Sequence, residues 1–181
     1  TDPGYKGTSS TSSSSSNDLN LGSSSNMIVD HVSAEFAAYN NIDASGGTNN
    51  ITFSNSIIAN PIASQRFNLH NEGSNTTMIG NIMANSHGRN ALAKANTQYV
   101  NNVAYNYGYA FTTGNSAGKF TFDIENNYLV AGPSTSTATD DFYQVDSNQS
   151  AYAVGNILDG NKDGVLNGSA DNSVDGAVVL G

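Results

Sequence analysis

"NTTMIGNIMAN" (residues 75–85) and "NTQYVNNVAYN" (residues 96–106) follow one pattern: an alternating run of β-branched or aromatic residues, an Asn, then a second short apolar run. The pattern returns in "TNNITFSNSIIAN" (residues 48–60), "KFTFDIENNYLV" (residues 119–130) and "QSAYAVGNILDG" (residues 149–160). Its anchors are Asn55, Asn81, Asn102, Asn127 and Asn156, with His31 of "MIVDHVSAEF" in the equivalent place one unit earlier. Successive anchors lie roughly 21 to 29 residues apart, within the range of solenoid repeats.

Alternation marks Ile51/Phe53, Tyr99/Val100 and Phe120/Phe122 as strand residues with one face inward, and no segment keeps a helical period. A unit this short cannot bury its apolar face alone. Stacked units can, because each strand then pairs with its counterpart above and below. Asn suits the turns, since it tolerates left-handed backbone and its amide can bond the next Asn in a ladder. The expected fold is all-β, a parallel β-helix of about six coils and on the order of 30 Å long, given about 4.8 Å between strands. It should occupy residues 18–181, after a flexible serine-rich arm at residues 1–17 that contains "GTSSTSSSSS".

The chain has 181 residues and a formal net charge of −9, with 12% charged residues and no cysteine. Asn makes up about one residue in seven. The acidity argues against a nucleic-acid partner, which needs clustered Lys and Arg. No apolar run is long enough to span a bilayer. The chain starts at Thr1, and its first strand-like text follows directly on the serine run with no capping helix. That arrangement suggests a piece of a longer parent whose N-terminal coils are missing or are supplied by a separate segment or chain.

Six cations serve the whole chain, and Arg89 and Lys94 stand five residues apart in "NSHGRNALAK" (residues 85–94). Together, "SSSNMIVDHVSAEF", "NNITFSNSIIAN" and "IMANSHGRNALA…VNNVAYNYGYAF" resemble pectate lyase family 1 of the polysaccharide lyases. The resemblance covers roughly residues 18–167. It implies a right-handed parallel β-helix, secretion, an acidic polysaccharide substrate such as pectate, and no membrane partner. It also implies a calcium-assisted β-elimination, in which a cationic side chain removes the C5 proton of a uronide and the 4-O-glycosidic bond breaks.

Carried over by motif, Arg89 opens the catalytic "RNALAK" run and Lys94 closes it, with Ala91 where the family has proline. Arg66 in "RFNL" matches a second family cation one coil earlier. Arg66, Lys94 and His87 are then the substrate-binding residues, with Arg66, Arg89 and Lys94 catalytic. Asp18 and Asp43 match calcium ligands, whereas Ser16 and the neighbourhood of Tyr39 and Asn40 lack the acids the family places there. Asp30 and His31 match a motif of structural role, and His70 shows no metal spacing.

Independent physical chemistry favours cations here, because removing a proton beside a carboxylate develops negative charge that fixed cations stabilise. An arginine of pKa above 12 makes an uncomfortable base, so charge stabilisation stands beside proton abstraction as a role for Arg89. "DGNKDGVLNGSADN" (residues 159–172) opens like a calcium loop but lacks its closing Glu, and it reads more simply as a turn. A glycoside hydrolase would need two carboxylates flanking the bond, and Asp140 and Asp141, being adjacent, would point to opposite faces of a strand. The main alternative is a non-catalytic β-solenoid, a glycan-binding or adhesin-like module.

Overall fold

A computed structural model of the chain describes residues 16–62 and 67–180. Arg66 and almost all of the serine-rich arm lie outside the described residues. The chain winds through six three-strand coils. They are β1 (Leu19–Asn20), β2 (Ser25–Asp30) and β3 (Ser33–Glu35); β4 (Asn40–Ala44), β5 (Asn49–Ser54) and β6 (Ile57–Ala59); β7 (Phe67–Asn71), β8 (Ser74–Ile79) and β9 (Ile82–Ala84); β10 (Leu92–Ala93), β11 (Thr97–Val100) and β12 (Val103–Tyr105); β13 (Phe111–Thr112), β14 (Thr121–Glu125) and β15 (Tyr128–Val130); and β16 (Phe142–Tyr143), β17 (Ser150–Val154) and β18 (Ile157–Asp159). Two further strands close the chain, β19 (Ser169–Ala170) and β20 (Val178–Leu180).

Corresponding strands stack into three sheets: β1-β4-β7-β10-β13-β16, β2-β5-β8-β11-β14-β17-β20 and β3-β6-β9-β12-β15-β18-β19. Every ladder is parallel except β18 with β19, where the chain turns back on itself. Among the described residues no helix forms. The expected parallel β-solenoid is therefore the observed fold.

Inward-facing residues stack in columns. Ile51, Phe53, Met78, Tyr99, Phe122 and Ile124 fill the axis from the second sheet, and Ile58, Met83, Ala104 and Leu129 fill it from the third. Phe111 gathers Tyr99 and Phe122 at ring centroids of 5.2 Å each, and Phe142 at 6.5 Å. Such edge-on and tilted contacts add to the area that the rings bury. Of the residues expected to face inward, Val100 faces out, as its adjacency to Tyr99 requires, and Phe120 precedes β14 and packs only at the core's margin.

The bend between the second and third sheets has a fixed grammar of two residues. The first is left-handed in every coil: His31, Asn55, Gly80, Asn101, Asn126 and Gly155, with φ between 48° and 70°. Asn and Gly reach this region at little cost, which explains their recurrence. The glycines carry a second constraint, since a Cβ at Gly155 would sit 2.2 Å from Asn126 Oδ1.

The second residue forms the ladder. Asn81 Nδ2 donates to Asn102 Oδ1 (3.1 Å), Asn102 Nδ2 to Asn127 Oδ1 (3.2 Å) and Asn127 Nδ2 to Asn156 Oδ1 (2.8 Å). Each amide also donates to the strand carbonyl of the coil before, as Asn102 does to Met78 O at 2.9 Å. Asn172, carried back by the antiparallel turn, ends the series by accepting from Asn156.

Two anchors move under this grammar. Asn55, like His31, belongs to the left-handed column, and Ser56 holds the ladder position, its backbone N–H donating to Asn81 Oδ1 at 3.1 Å. The sequence pattern merged two adjacent columns because Asn is acceptable in both.

Replacing the Asn102 side chain takes the acceptor from Asn81 N and Nδ2 and the amide donor from Met78 O, while Asn127 Oδ1 keeps the Asn102 backbone N–H and Asn81 Nδ2 keeps Phe53 O. Unmet buried polar groups cost about 1–3 kcal/mol each before relaxation. Asn102→Ala is therefore expected to lose about 2–4 kcal/mol in urea unfolding, whereas exposed Asn126→Gly is expected to lose less than about 1 kcal/mol. Equal losses would contradict the ladder's role.

Candidate functional site

On the outer face of the first sheet, parallel register sets Asp43 opposite His70. Ala93 pairs with Asn71, so one residue further along Lys94 comes opposite Glu72. His70 and Glu72 are two residues apart and share a face. The result is a chain of alternating charge. Asp43 Oδ2 meets His70 Nδ1 at 3.3 Å, His70 Nε2 meets Glu72 Oε1 at 3.2 Å, and Lys94 Nζ donates to Glu72 Oε1 at 2.6 Å.

Because both imidazole nitrogens face carboxylates, both can donate only in the imidazolium. Burial works against that charge, but Asp43 and Glu72 outweigh it and hold the pKa of His70 above its ordinary value. Burial likewise opposes the charge on Asp43, yet the hydrogen bonds from His70 and Ser45 bring its carboxyl down to about 2. Lys94 chiefly, with His70, lowers the pKa of Glu72. The four charges sum to zero.

Arg89 stands outside this balance. It bridges to Tyr109 in the next coil, and its guanidinium carbon lies 4.6 Å from the centroid of the Phe67 ring, a cation–π geometry. Gly114 leaves it room, since a Cβ there would come within 3.1 Å of Arg89 Nη2. The guanidinium makes no hydrogen bond or ion pair with a described residue. Its pKa is lowered by burial, against the more distant pull of Tyr109 and Glu72. Beside it Tyr109 stacks on Tyr143, with centroids 4.8 Å apart and planes within 11°. This face therefore offers a partly desolvated guanidinium, which can meet an anion, and a pair of stacked rings.

The expected residues divide. Arg89 and Lys94 come to the same face, Asp43 joins them, and Arg66 lies outside the described residues. His87 is exposed in the turn before Arg89. Asp18 precedes Leu19 as Asn41 precedes Ile42, so it falls in the column of a second asparagine ladder (Asn41, Asn68, Asn90). There it lines a cleft with residues 32–36 instead of standing beside Asp43.

Calcium needs several converging oxygens. Among the described residues no three acidic or histidine side chains converge on one point. The Asp43 carboxylate is met by N–H donors, namely Asn17 and Asn40 at 3.4 Å, Ser45 N at 3.0 Å and His70. Asp18 and Asp43 as arranged do not fit a calcium centre.

Sequence reading missed His70, Glu72, Phe67, Tyr109 and Tyr143. The spacing of "HNE" (residues 70–72) carried a signal for the first two, since residues i and i+2 share a strand face.

Elsewhere the "DGNKDG" loop closes as a turn. Asp163 accepts from Val165 N, Asn161 and Asn167, and Asp159 accepts from Asn167 N. Asp141 is 4% exposed, and burial with Asp171 nearby pushes its carboxyl up to about 7. It does not stand with Asp140 across an open cleft as a hydrolase pair.

The His70 pKa is raised on folding, so its contribution to stability is complete below its ordinary value of 6.5 and is lost as pH rises through the raised value. Asp43 works in the opposite sense, its contribution being lost as pH falls from about 4 toward 2. Asp141 titrates alike in wild type and variant, so a difference between them isolates the chain. The melting-temperature gap between wild type and His70→Gln is expected to be widest at about pH 4–6 and to close at alkaline pH. A gap independent of pH would contradict the charged pairing.

The chain is similar to a set of fungal proteins. It is 31% identical over 160 residues to "Probable pectate lyase C" of Aspergillus flavus, a match covering 87% of this chain and 38% of that protein. The Aspergillus fumigatus protein of the same name is 32% identical over 159 residues, covering 86% and 37%. That of Emericella nidulans is 31% identical over 154 residues, covering 83% and 35%. The chain thus spans well under half the length of these relatives. No family model matches it, and no solved structure matches it. The chain is a parallel β-solenoid that is similar, over about 160 residues, to proteins named probable pectate lyase C.

Proposed function

We propose that this chain carries the catalytic face of a polysaccharide lyase that cleaves a uronic-acid polymer, pectate in the first instance, by β-elimination. The observation that carries this reading is Arg89, a half-buried guanidinium over Phe67 that forms no ion pair with a described residue, on a face whose other charges cancel. A desolvated cation without a counter-ion is a standing demand for an anion. The carboxylate on every sugar of a uronide polymer satisfies it, and Arg offers two parallel donors to that group.

In the reaction the C5 proton passes to a base, water or a transiently deprotonated Arg89, a C4–C5 double bond forms, and the C4–O bond breaks with its electron pair departing on the glycosidic oxygen, which takes up a proton from solvent. Negative charge spreads from C5 onto the carboxylate on the way. Arg89 meets that charge, and its fixed position means that no solvent has to reorganise as the charge develops. Burial lowers its pKa in the direction that proton abstraction needs, while the high intrinsic value makes charge stabilisation its first role. Lys94, held by Glu72, supplies a second cation on the same face. The stacked Tyr109 and Tyr143 offer an apolar edge for a neighbouring sugar ring. A polymer substrate is met outside the cell, so secretion belongs to the same reading.

The test is the ultraviolet absorbance of unsaturated uronide released from polygalacturonate. Wild type is expected to produce it. Arg89→Lys, which keeps charge but loses the fork, is expected to lose about 10²–10³ in kcat/KM, and Arg89→Ala at least as much. Full activity in Arg89→Ala removes the assignment. Polymer binding without any unsaturated product would make the chain a glycan-binding module.

A further inference from the structure

The charge chain on this face is a complete electrostatic unit before any ligand arrives. Asp43 Oδ2 is approached by Asn17 Nδ2 and Asn40 Nδ2 at 3.4 Å and by His70 Nδ1 at 3.3 Å, while Asp43 Oδ1 accepts from Ser45 N at 3.0 Å. Glu72 Oε1 takes both His70 Nε2 at 3.2 Å and Lys94 Nζ at 2.6 Å. These contacts follow from the fold. Directly opposed residues on adjacent parallel strands bring His70 to Asp43 and Lys94 to Glu72, and a two-residue step joins the pairs. An imidazole ring, a hydrogen-bond donor on both sides, stands between the two carboxylates.

A divalent cation in that place would need lone pairs facing it from several oxygens at about 2.3–2.6 Å. N–H groups point there instead. We propose that His70 is a positioning residue that occupies, between Asp43 and Glu72, the place of a divalent cation, so that organic cations hold these acids and the face takes its uronide without calcium. This inference rests on the reading of the face as a uronide site. It deepens that reading by assigning carboxylate recognition to Arg89 among the described residues, with Lys94 held in the charge chain by Glu72.

Two consequences separate His70 from an ordinary packing residue. Removing it should expose two carboxylates to each other on neighbouring strands. Replacing it with a third carboxylate should build the oxygen cluster that the wild-type chain lacks.

The experiment is calorimetric titration of calcium chloride into the full chain, with melting temperatures in calcium and in chelator, for wild type, His70→Asp and His70→Asn. Wild type is expected to show no saturable heat and no calcium-dependent shift. Folded His70→Asp is expected to bind calcium saturably and to gain melting temperature with it. Should His70→Asp not fold, His70→Asn serves, with calcium expected to raise its melting temperature while leaving wild type unchanged. Saturable calcium binding by wild type that Asp43→Asn abolishes would overturn the proposal. So would a folded His70 variant with no response to calcium. No substrate is present in this titration, so its failure leaves the lyase reading standing, and loss of lyase activity leaves this result intact.

Discussion

Everything on the functional face depends on one repeated contact, a buried asparagine amide that bonds both the next asparagine and the strand carbonyl behind it. A buried amide left unmet would cost more than its hydrogen bonds contribute, so the ladder tolerates no slip in register. With register fixed at this bend, the third side of each coil falls in line as well. Residues that are 22 to 27 positions apart in the chain become neighbours, as Asp43, His70, Glu72 and Lys94 do. Rigid stacking, and not a deep pocket, makes these residues neighbours.

The face that results is mixed in a particular way. Asp43, His70, Glu72 and Lys94 neutralise one another at short range, and a neutral chain of that kind adds order without attracting a ligand. Arg89 supplies the attraction. Its guanidinium rests on an aromatic ring, a contact that tolerates partial burial of a planar cation better than it would a compact ammonium. Positioning and recognition are thereby divided between two sets of neighbouring residues. That division is how an acidic chain of net charge −9 could present the proposed site for an acidic polymer.

The repeat and the strands were legible in the sequence because period-two alternation and recurring Asn are local signals. Arg89 and Lys94 were singled out by their motif, and register sets Lys94 opposite Glu72. The position of Asn55 was misread by one residue, since the left-handed column and the ladder column both favour Asn and only hydrogen bonding tells them apart. His70 and Glu72 stayed hidden because their partners come from other coils, and only register, which no single strand encodes, brings them together. The Tyr109–Tyr143 stack was harder still, for its rings come from coils separated by a long connection between β15 and β16. Asp18 shows the same dependence on register: the family motif matched it, like Asp43, to a calcium ligand, and register sets it in the column of Asn41.

The central claim is that the outer face of the first sheet receives a uronide carboxylate at Arg89. A crystal structure of the chain with a short oligogalacturonate tests it most directly. A sugar carboxylate is expected within hydrogen-bonding distance of the Arg89 guanidinium, with a neighbouring ring near Tyr109 and Tyr143. An oligosaccharide lodged instead in the polar groove of the second sheet, along Asn50, Thr77, Gln98 and Asp123, with Arg89 untouched, would contradict it.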